Sequence, residues 1–229
     1  MKIMTFNTQH CQSYIEKTVD YGIMARTISD LGADIVGLNE MFNGGKYDEQ
    51  TKVLAEKAGM EYYYFAKAID DSDGPYGNGI LSRYKITSVE AIKIPDPLPR
   101  ECQNGYYETR CILKARLENG LTVLITHFGL NPDEQRSAVK TVLENLTEEK
   151  CILMGDFNVT PENEVLKPIR EKMKDAGALF ENKLLSFPSD KPRIKIDYIF
   201  TSLDIEIISA DIPKIIASDH LPHIAEIKL

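Results

Sequence analysis

The stretch Met154-Gly155-Asp156-Phe157-Asn158 gives the clearest indication of the fold of this 229-residue chain. It overlaps the end of the apolar run 151–154, which predicts a buried strand. Asp156 and Asn158 are two residues apart at the end of that strand, so their side chains point to the same side. There, one can take a proton and the other can donate to an oxyanion. The alternative interpretation of these residues is an Asx turn that starts the next segment.

Working outward from this stretch, strand-like and helix-like segments alternate along the chain. The predicted strands cover residues 3–6, 34–38, 62–66, 79–82, 86–94, 106–116, 121–126, 151–154, 195–201, 205–210 and 223–227. The predicted helices cover residues 15–31, 47–58, 132–146 and 162–175, and a loop fills 176–194. This pattern predicts one domain, residues 1–229, in which two sheets pack face to face with helices outside, a layered α/β sandwich.

Three connections between these segments are also predicted. The Asn119-Gly120 step is a strong hairpin signal between the strands on either side of it. Residues 83–85 are expected to form a hairpin or meander between the strands 79–82 and 86–94. Residues 67–78, rich in Asp, are expected to form a flexible acidic loop at the rim of a cleft.

Composition narrows the class of protein. The formal charge of −8 argues against broad clamping of a nucleic-acid backbone, and the chain has no Trp for base stacking. No run approaches the roughly 20 apolar residues of a membrane span, and the N-terminus lacks the apolar core of a signal peptide. The four cysteines form no CxxC pair, which favours reduced thiols. We therefore expect a cytoplasmic protein with no membrane span, and no protein partner is predicted.

Further polar clusters follow other strand-like runs. Asn7 and Glu40 each end a strand, and a carboxylate with an amide oxygen is what Mg²⁺ or Mn²⁺ accepts. A surface position for Glu40 is the alternative. Asp197 is an acid inside an otherwise apolar strand, which is costly unless the carboxylate is paired, and His220 is the expected partner. Capping of a neighbouring backbone group is the alternative for Asp197.

Taken in order, these clusters resemble the endonuclease/exonuclease/phosphatase superfamily. The motifs that carry the resemblance are Thr5-Phe6-Asn7, Leu38-Asn39-Glu40, Asn78-Gly79, Thr126-His127, Gly155-Asp156-Phe157-Asn158, Lys195-Ile196-Asp197-Tyr198-Ile199 and Ser218-Asp219-His220-Leu221-Pro222. The resemblance spans the whole chain. It implies a four-layer αββα sandwich of two mixed, mainly antiparallel sheets, and cleavage of a phosphate ester with a divalent metal.

The resemblance also implies a role for each site residue. The metal would be Mg²⁺ or Mn²⁺, held by Asn7, Glu40 and Asp219. Five residues would be catalytic: Asp156 would orient the attacking water, Asn158 would contact the scissile phosphate, His220 with its partner Asp197 would stabilise the developing charge, and His127 would be a second histidine of the site. Asn78 and Arg110 would bind substrate together with Asn158. A surface salt bridge with Glu108 is the alternative for Arg110.

The resulting hypothesis is a metal-dependent phosphoesterase that hydrolyses a phosphodiester or phosphomonoester by in-line attack of water. A small molecule, a lipid headgroup or a single-stranded nucleic acid is favoured as substrate over duplex DNA, because the chain is acidic. Two alternatives stay open: a DNA endonuclease or exonuclease, and a catalytically silent binding protein that keeps the same fold.

Overall fold

A computed structural model of the protein describes residues 1–102, 105–179 and 184–229. Positions 180–183 of the predicted loop lie outside the described residues. The strands are β1 (Lys2–Asn7), β2 (Ile35–Phe42), β3 (Tyr62–Asp71), β4 (Gly74–Ser82), β5 (Ile86–Lys93), β6 (Cys111–Leu117), β7 (Thr122–His127), β8 (Cys151–Asp156), β9 (Lys174–Asp175), β10 (Asp197–Thr201), β11 (Glu206–Asp211) and β12 (His223–Lys228). The α-helices are α1 (Tyr21–Leu31), α2 (Gln50–Ala58), α3 (Pro132–Asn145) and α4 (Lys167–Arg170), and two 3₁₀ turns cover Glu164–Leu166 and Ala176–Leu179.

The strands form two six-stranded sheets, ordered β11-β12-β1-β2-β4-β3 and β5-β6-β7-β8-β10-β9. In each sheet one central pair is parallel, β1 with β2 and β7 with β8, and the other pairs are antiparallel. The predicted sandwich of two mixed, mainly antiparallel sheets is therefore confirmed.

Side chains alternate along the central strands between two hydrophobic layers. On β8, Ile152 and Met154 belong to the core between the sheets, whereas Leu153 belongs to the core beneath α3. Helices α1 and α2 cover the first sheet in the same way, with Met24 and Leu54 in one cluster with residues of β1 and β2. Burial of both faces explains why β8 is apolar throughout its first four residues.

The two parallel pairs bring polar strand ends together at one edge of the sandwich. Asn7 lies opposite Asn39 across the β1–β2 pair, and His127 lies opposite Asp156 across the β7–β8 pair. The sheets are joined at this edge because Asn39 Oδ1 accepts from the backbone N–H of Asp156 at 3.0 Å, and Asn39 Nδ2 donates to the Thr126 carbonyl at 3.0 Å. The site is therefore built between the sheets.

All four predicted helices are shorter in the structure, and two of them differ most. Helix α1 begins at Tyr21 because the Asp20 side chain accepts from the Ile23 N–H at 3.0 Å and caps the helix there, which leaves Ile15 outside the helix and 67% exposed. The predicted helix 162–175 is a 3₁₀ turn followed by the four-residue α4, because the chain then becomes extended and pairs Lys174–Asp175 with β10.

Two predicted connections are wrong and one is confirmed. Strands β4 and β5 form no hairpin: β4 pairs with β2 and β3, β5 pairs with β6, and residues 83–85 cross from one sheet to the other. Residues 67–78 are no flexible loop, because they complete β3 and start β4 in an antiparallel pair. The hairpin at Asn119-Gly120 is confirmed by the pairing of β6 with β7. Within the described residues, no helix combines the length and apolarity needed to cross a membrane.

A buried neutral histidine joins β12 to β10. His223 is fully buried, and its Nδ1 lies 3.2 Å from the Asp197 carbonyl, to which it donates. Burial and the nearby Lys195 lower the pKa of His223 to about 4. The ring is therefore neutral in the folded protein at pH values where it would be protonated in the unfolded chain.

Acid should consequently weaken the fold through His223. Because its pKa is lower when folded, the unfolded chain binds more protons between pH 6.5 and 4, and the free energy of unfolding falls as the pH falls through that window. The full shift corresponds to a loss on the order of 3 kcal/mol. The free energies of unfolding of wild type and of His223→Gln, measured with urea, should therefore approach each other by up to this amount between pH 7 and pH 4. Parallel pH profiles for the two proteins would contradict the assignment.

Candidate active site

A cavity of about 650 Å³ opens at the edge where the polar strand ends meet. Seven of the ten predicted site residues line it, namely Glu40, Arg110, His127, Asp156, Asn158, Asp219 and His220. Asn7 and Asp197 lie directly behind this lining, because they bond to Asp156 and His220 respectively. Residues as far apart in sequence as Asn7 and His220 are thus brought into one site.

Asp156 lies at the centre of the site and is almost fully buried. Its Oδ1 accepts from the Asn158 N–H at 2.9 Å, and its Oδ2 accepts from Asn7 Nδ2 at 3.1 Å. The same Oδ2 is 3.6 Å from the Nε2 atoms of both His127 and His220. Burial raises the pKa of Asp156 to about 7, with His220 acting in the opposite direction. Asp156 is therefore fixed by hydrogen bonds and faces both histidines.

Gly155 is required for this placement. Its φ is +148°, and a Cβ built on it would lie 1.8 Å from the Thr126 carbonyl oxygen of β7. No side chain can be accommodated against a backbone atom at that distance, so only glycine lets β8 approach β7 this closely. The Asx turn considered from the sequence is also present, since Asp156 Oδ1 accepts from the N–H two residues later.

Asp197 and His220 form a buried pair. Asp197 Oδ2 is 2.8 Å from His220 Nδ1, and the Phe187 ring covers the imidazole with centroids 4.8 Å apart. Burial alone lowers the pKa of His220, but the carboxylates of Asp197 and Asp156 outweigh it and raise the pKa to about 10. His220 is therefore a cation at neutral pH, and its Nε2–H faces Asp156 and the cavity.

His127 lies in the opposite electrostatic environment. Arg110 NH1 is 3.0 Å from its Nδ1, and Asn158 Nδ2 is 3.1 Å from its Nε2. Burial lowers the pKa of His127 well below its usual value, and the positive charges of Arg110 and His220 lower it further. The site thus holds one protonated and one neutral histidine.

Glu40 and Asp219 form the acidic end of the cavity. Glu40 has a φ of +58° at an irregularity in the pairing of β2 with β4, a strained conformation for a residue other than glycine. Asn7 Nδ2 donates to Glu40 Oε1 at 3.0 Å. Burial raises the pKa of Asp219, His220 lowers it, and the nearby Glu40 raises it. The Asn7 amide oxygen accepts from the Gln9 N–H at 3.1 Å, so Asn7 presents its NH₂ group to the carboxylates. The two carboxylates, which repel each other, are hard oxygen donors that fit a divalent cation.

A second group with the spacing of metal ligands is Asp156, Asp197 and His220, whose ligand atoms lie within 4.8 Å of one another. Here His220 Nδ1 is already bonded to Asp197, and the ring is protonated. A cationic imidazole has no lone pair to offer a metal. The carboxylates of Glu40 and Asp219 therefore fit a cation better than this group does, and His220 and Asp197 form a hydrogen-bonded ion pair.

Asn78 does not line the cavity. It is 2% exposed, its Nδ2 donates to the Cys111 carbonyl at 3.0 Å, and its Oδ1 accepts from Asn39 Nδ2 at 2.8 Å. With both ends of its amide committed to the protein, Asn78 supports Asn39 from behind. In this geometry Asn78 has no direct access to a substrate in the cavity, in contrast to the role expected from the sequence.

Arg110 lines the cavity, and the ion pair considered as its alternative role is also present. Its NH1 lies 2.5 Å from Glu108 Oε1, with the two side chains 9% and 17% exposed. The pair therefore lies at the wall of the cavity, with Arg110 buried and Glu108 half-buried, and is not a fully exposed surface salt bridge.

One wall of the cavity was missed by sequence reasoning. The rings of His10, Phe42, Tyr47 and Tyr76 contact one another with centroids 4.6–6.2 Å apart, and all four line the cavity. Tyr76 was hidden because it falls in the stretch interpreted as an acidic loop. The available signal was the presence of aromatic residues close to the ends of β1 and β2, where His10 follows β1 and Phe42 ends β2.

Comparison with known proteins agrees with this geometry. A sequence model of the Endonuclease/Exonuclease/phosphatase family matches residues 4–220. No sequence match was found among curated proteins. Among solved structures, an endonuclease/exonuclease/phosphatase from Beutenbergia cavernae is 19% identical with a TM-score of 0.82, covering 100% of this chain and 71% of that chain.

Two further structures have names that state an activity or a ligand. A mannosyl-6-phosphatase from Bacteroides thetaiotaomicron is 16% identical with a TM-score of 0.79, covering 100% of both chains. D. rerio TDP2 complexed with single strand DNA product is 16% identical with a TM-score of 0.71, covering 100% of this chain and 99% of that chain. These likenesses show the fold. Because the family match spans nearly the whole chain and includes the residues that converge on the cavity, the protein belongs to the endonuclease/exonuclease/phosphatase family, a family of hydrolases.

Proposed function

We propose that this protein is a divalent-metal-dependent phosphoesterase that hydrolyses small esters with a single phosphate group and an uncharged leaving group. The observation that carries this proposal is the charge of the cavity wall. Six carboxylates line it, from Glu40, Asp71, Asp73, Glu108, Asp156 and Asp219. Among the described residues in the lining, Arg110 is the one guanidinium and there is no lysine. Beyond Arg110 and the cationic His220, the described lining offers no lysine or second arginine to pair with a second phosphate group, which would face carboxylates.

The metal would be Mg²⁺ or Mn²⁺, held by the carboxylates of Glu40 and Asp219, with Asn7 beside them as the residue that orients Glu40. When bound, such an ion polarises a phosphoryl oxygen and neutralises charge that develops in the transition state. The hydrogen bond from Asn7 to Glu40 keeps these side chains at one end of the cavity, beside Asp156. The phosphate group would therefore lie between the acidic end and the two histidines.

Each of the remaining polar residues of the site has a separate role in the reaction. Asp156 orients the attacking water and accepts its proton, because its carboxylate is fixed by Asn158 and Asn7 and faces the cavity. His220 donates from its cationic Nε2–H to an oxygen that gains negative charge as the ester bond breaks. Asp197 keeps His220 oriented and protonated. His127 and Asn158 contribute neutral donors on the other side of the cavity.

The aromatic wall supports an uncharged leaving group. Tyr47 stacks on Phe42 with ring centroids 4.6 Å apart, and Tyr76 packs 5.3 Å from Phe42. On the rim, Tyr106 and Leu130 are 65% and 56% exposed. Rings of this kind contact the apolar faces of an organic alcohol without requiring charge. Stacking of a nucleobase is the competing use of the same wall, so oligonucleotides belong in the test.

A substrate panel tests this proposal. We expect kcat/KM with Mg²⁺ or Mn²⁺ to be at least about tenfold higher for nitrophenyl phosphate, bis-nitrophenyl phosphate or a hexose phosphate than for a thymidine oligonucleotide or an inositol polyphosphate. The reason is that each unpaired like charge at contact distance costs about 1 kcal/mol even in water. A preference of the wild-type protein for the polyanions would contradict the proposal.

A charge reversal in the wall sharpens the test. Asp71 is exposed, lines the cavity and forms no ion pair within the described part of the chain. Asp71→Lys should therefore raise kcat/KM for the oligonucleotide severalfold relative to nitrophenyl phosphate. Asp30→Lys makes the same change of charge on α1, away from the cavity lining, and should leave the ratio unchanged.

A further inference from the structure

The contact between Arg110 and His127 determines where the imidazole carries its proton. Arg110 NH1 is 3.0 Å from His127 Nδ1, and both side chains are more than nine-tenths buried. A guanidinium can only donate hydrogen bonds, so Nδ1 must present its lone pair. A neutral ring with a lone pair on Nδ1 carries its hydrogen on Nε2.

Other groups around the ring favour the same arrangement. Asp156 Oδ2 lies 3.6 Å from His127 Nε2, too far to accept a hydrogen bond, but its negative charge favours an N–H on that side of the ring. Glu108 holds Arg110 in place through an ion pair that is largely removed from solvent, so the guanidinium cannot easily leave Nδ1. Burial and the positive charge of Arg110 keep the ring neutral. His127 is therefore the counterpart of His220, whose Nδ1–H donates to the Asp197 carboxylate.

Asn158 adds a second donor beside His127 Nε2. Its Nδ2 donates to the Phe128 carbonyl at 3.0 Å, and a carbonyl only accepts, so the orientation of the amide is settled. The same Nδ2 lies 3.1 Å from His127 Nε2. With a hydrogen on Nε2, neither nitrogen can accept from the other. Two N–H groups therefore converge at the cavity wall without an acceptor between them.

We propose that Arg110 is a positioning residue that fixes His127 in the Nε2–H tautomer, so that His127 and Asn158 together form a two-donor site for one phosphoryl oxygen. An oxygen anion accepts from both N–H groups at once and relieves their mutual repulsion. In this arrangement Arg110 contacts substrate only through His127. The role of the donor pair rests on the proposed function, whereas the tautomer of His127 does not.

Long-range ¹H–¹⁵N NMR of the histidine rings tests the tautomer directly. Wild-type protein should show His127 with its hydrogen on Nε2 at neutral pH, and Arg110→Met should show a large fraction of the Nδ1–H tautomer. If Arg110→Met does not fold because Glu108 loses its partner, the double variant with Glu108→Gln removes both charges and makes the same comparison. A wild-type Nδ1–H tautomer, or an unchanged Nε2–H tautomer in the variant, would overturn the proposal.

Kinetics and phosphate binding test the donor pair. In Arg110→Met, kcat on nitrophenyl phosphate should fall about 10²-fold with KM within about twofold of wild type, as expected when one preorganised donor is lost. Titration with inorganic phosphate should shift the resonances of the Asn158 side-chain amide and of the His127 Nε2–H together in wild type. In Arg110→Met, the shift of the His127 resonance should be smaller. A rise in KM with unchanged kcat would show instead that Arg110 binds substrate itself. If no phosphate ester is turned over, the proposed function fails, and the NMR result still decides the role of Arg110.

Discussion

Asp156→Asn is expected to lower kcat on a phosphate ester by about 10³-fold, within the range for loss of a general base. The substitution keeps the size of the side chain but removes its charge. It also disturbs the hydrogen bonds, because Asp156 accepts from Asn158 through one oxygen and from Asn7 through the other. An amide has only one oxygen, so its NH₂ group must face one of these donors. Initial rates at saturating substrate, with circular dichroism to verify folding, measure the effect.

Asp133→Asn is the matched control for this experiment. Asp133 is a buried carboxylate in the first turn of α3, where it accepts from the Glu101 N–H at 2.9 Å and the Tyr107 hydroxyl at 2.8 Å, outside the cavity lining. Its substitution should reduce stability and leave kcat within about twofold of wild type. If Asp156→Asn retained more than a tenth of the wild-type kcat, Asp156 could not be the residue that activates the water.

His220→Gln is expected to lower kcat by about 10²- to 10³-fold, because it removes a preorganised cationic donor. Asp197→Asn should cause a loss of similar size, since the hydrogen bond of 2.8 Å and the negative charge of Asp197 keep His220 oriented and protonated. The two residues act as a unit, so the double variant should be little worse than His220→Gln alone.

A double-mutant cycle on kcat measures this coupling. Losses that multiply, so that kcat of the double variant falls at least about 10⁴-fold below that of wild type, would show that Asp197 acts independently of His220. Because Asp197 is fully buried and loses its charge in one variant, thermal unfolding of each protein should be recorded alongside the rates. A fall in kcat without unfolding at the assay temperature assigns the loss to catalysis.

The centre of the site could be predicted because it depends on strand periodicity and on the cost of burying charge. Asp156 and Asn158 follow an apolar strand, and the parallel pairing of β7 with β8 then places His127 opposite Asp156. Asp197 was expected to bond His220 because an unpaired carboxylate in an apolar strand is costly, and the structure places the two groups 2.8 Å apart.

The walls of the cavity could not be predicted because they depend on long-range topology. Tyr76 reaches the cavity only because residues 67–78 form paired strands, which the acidic composition of that stretch conceals. Similarly, nothing in the sequence shows that the chain changes sheets between β4 and β5. By contrast, the position of Arg110 near His127 follows from the predicted hairpin at Asn119-Gly120, since β6 pairs with β7 and Arg110 directly precedes β6.

The start of α1 was predicted wrongly for a local reason. The apolar spacing of Ile15 and Val19 continues that of α1, but the Asp20 cap starts the helix at Tyr21. A hydrogen bond between one side chain and one backbone N–H therefore outweighs the periodicity. The backbone conformation of Glu40 could not be predicted either. Its positive φ arises where the pairing of β2 with β4 is irregular, and composition does not reveal such an irregularity.

The acidic end of the cavity is expected to hold a divalent cation that is required for hydrolysis of a phosphate ester. The most direct measurement is the rate of hydrolysis of nitrophenyl phosphate or bis-nitrophenyl phosphate, whichever reacts faster, by wild-type protein and by Glu40→Gln, first in EDTA and then across a titration with Mg²⁺ or Mn²⁺. We predict no turnover in EDTA, recovery of wild-type turnover with added metal, and a half-saturating metal concentration raised at least about tenfold in Glu40→Gln, since even residues that only support a ligand change metal affinity 10–100-fold. Full turnover in EDTA, or identical metal titrations for the two proteins, would contradict the claim.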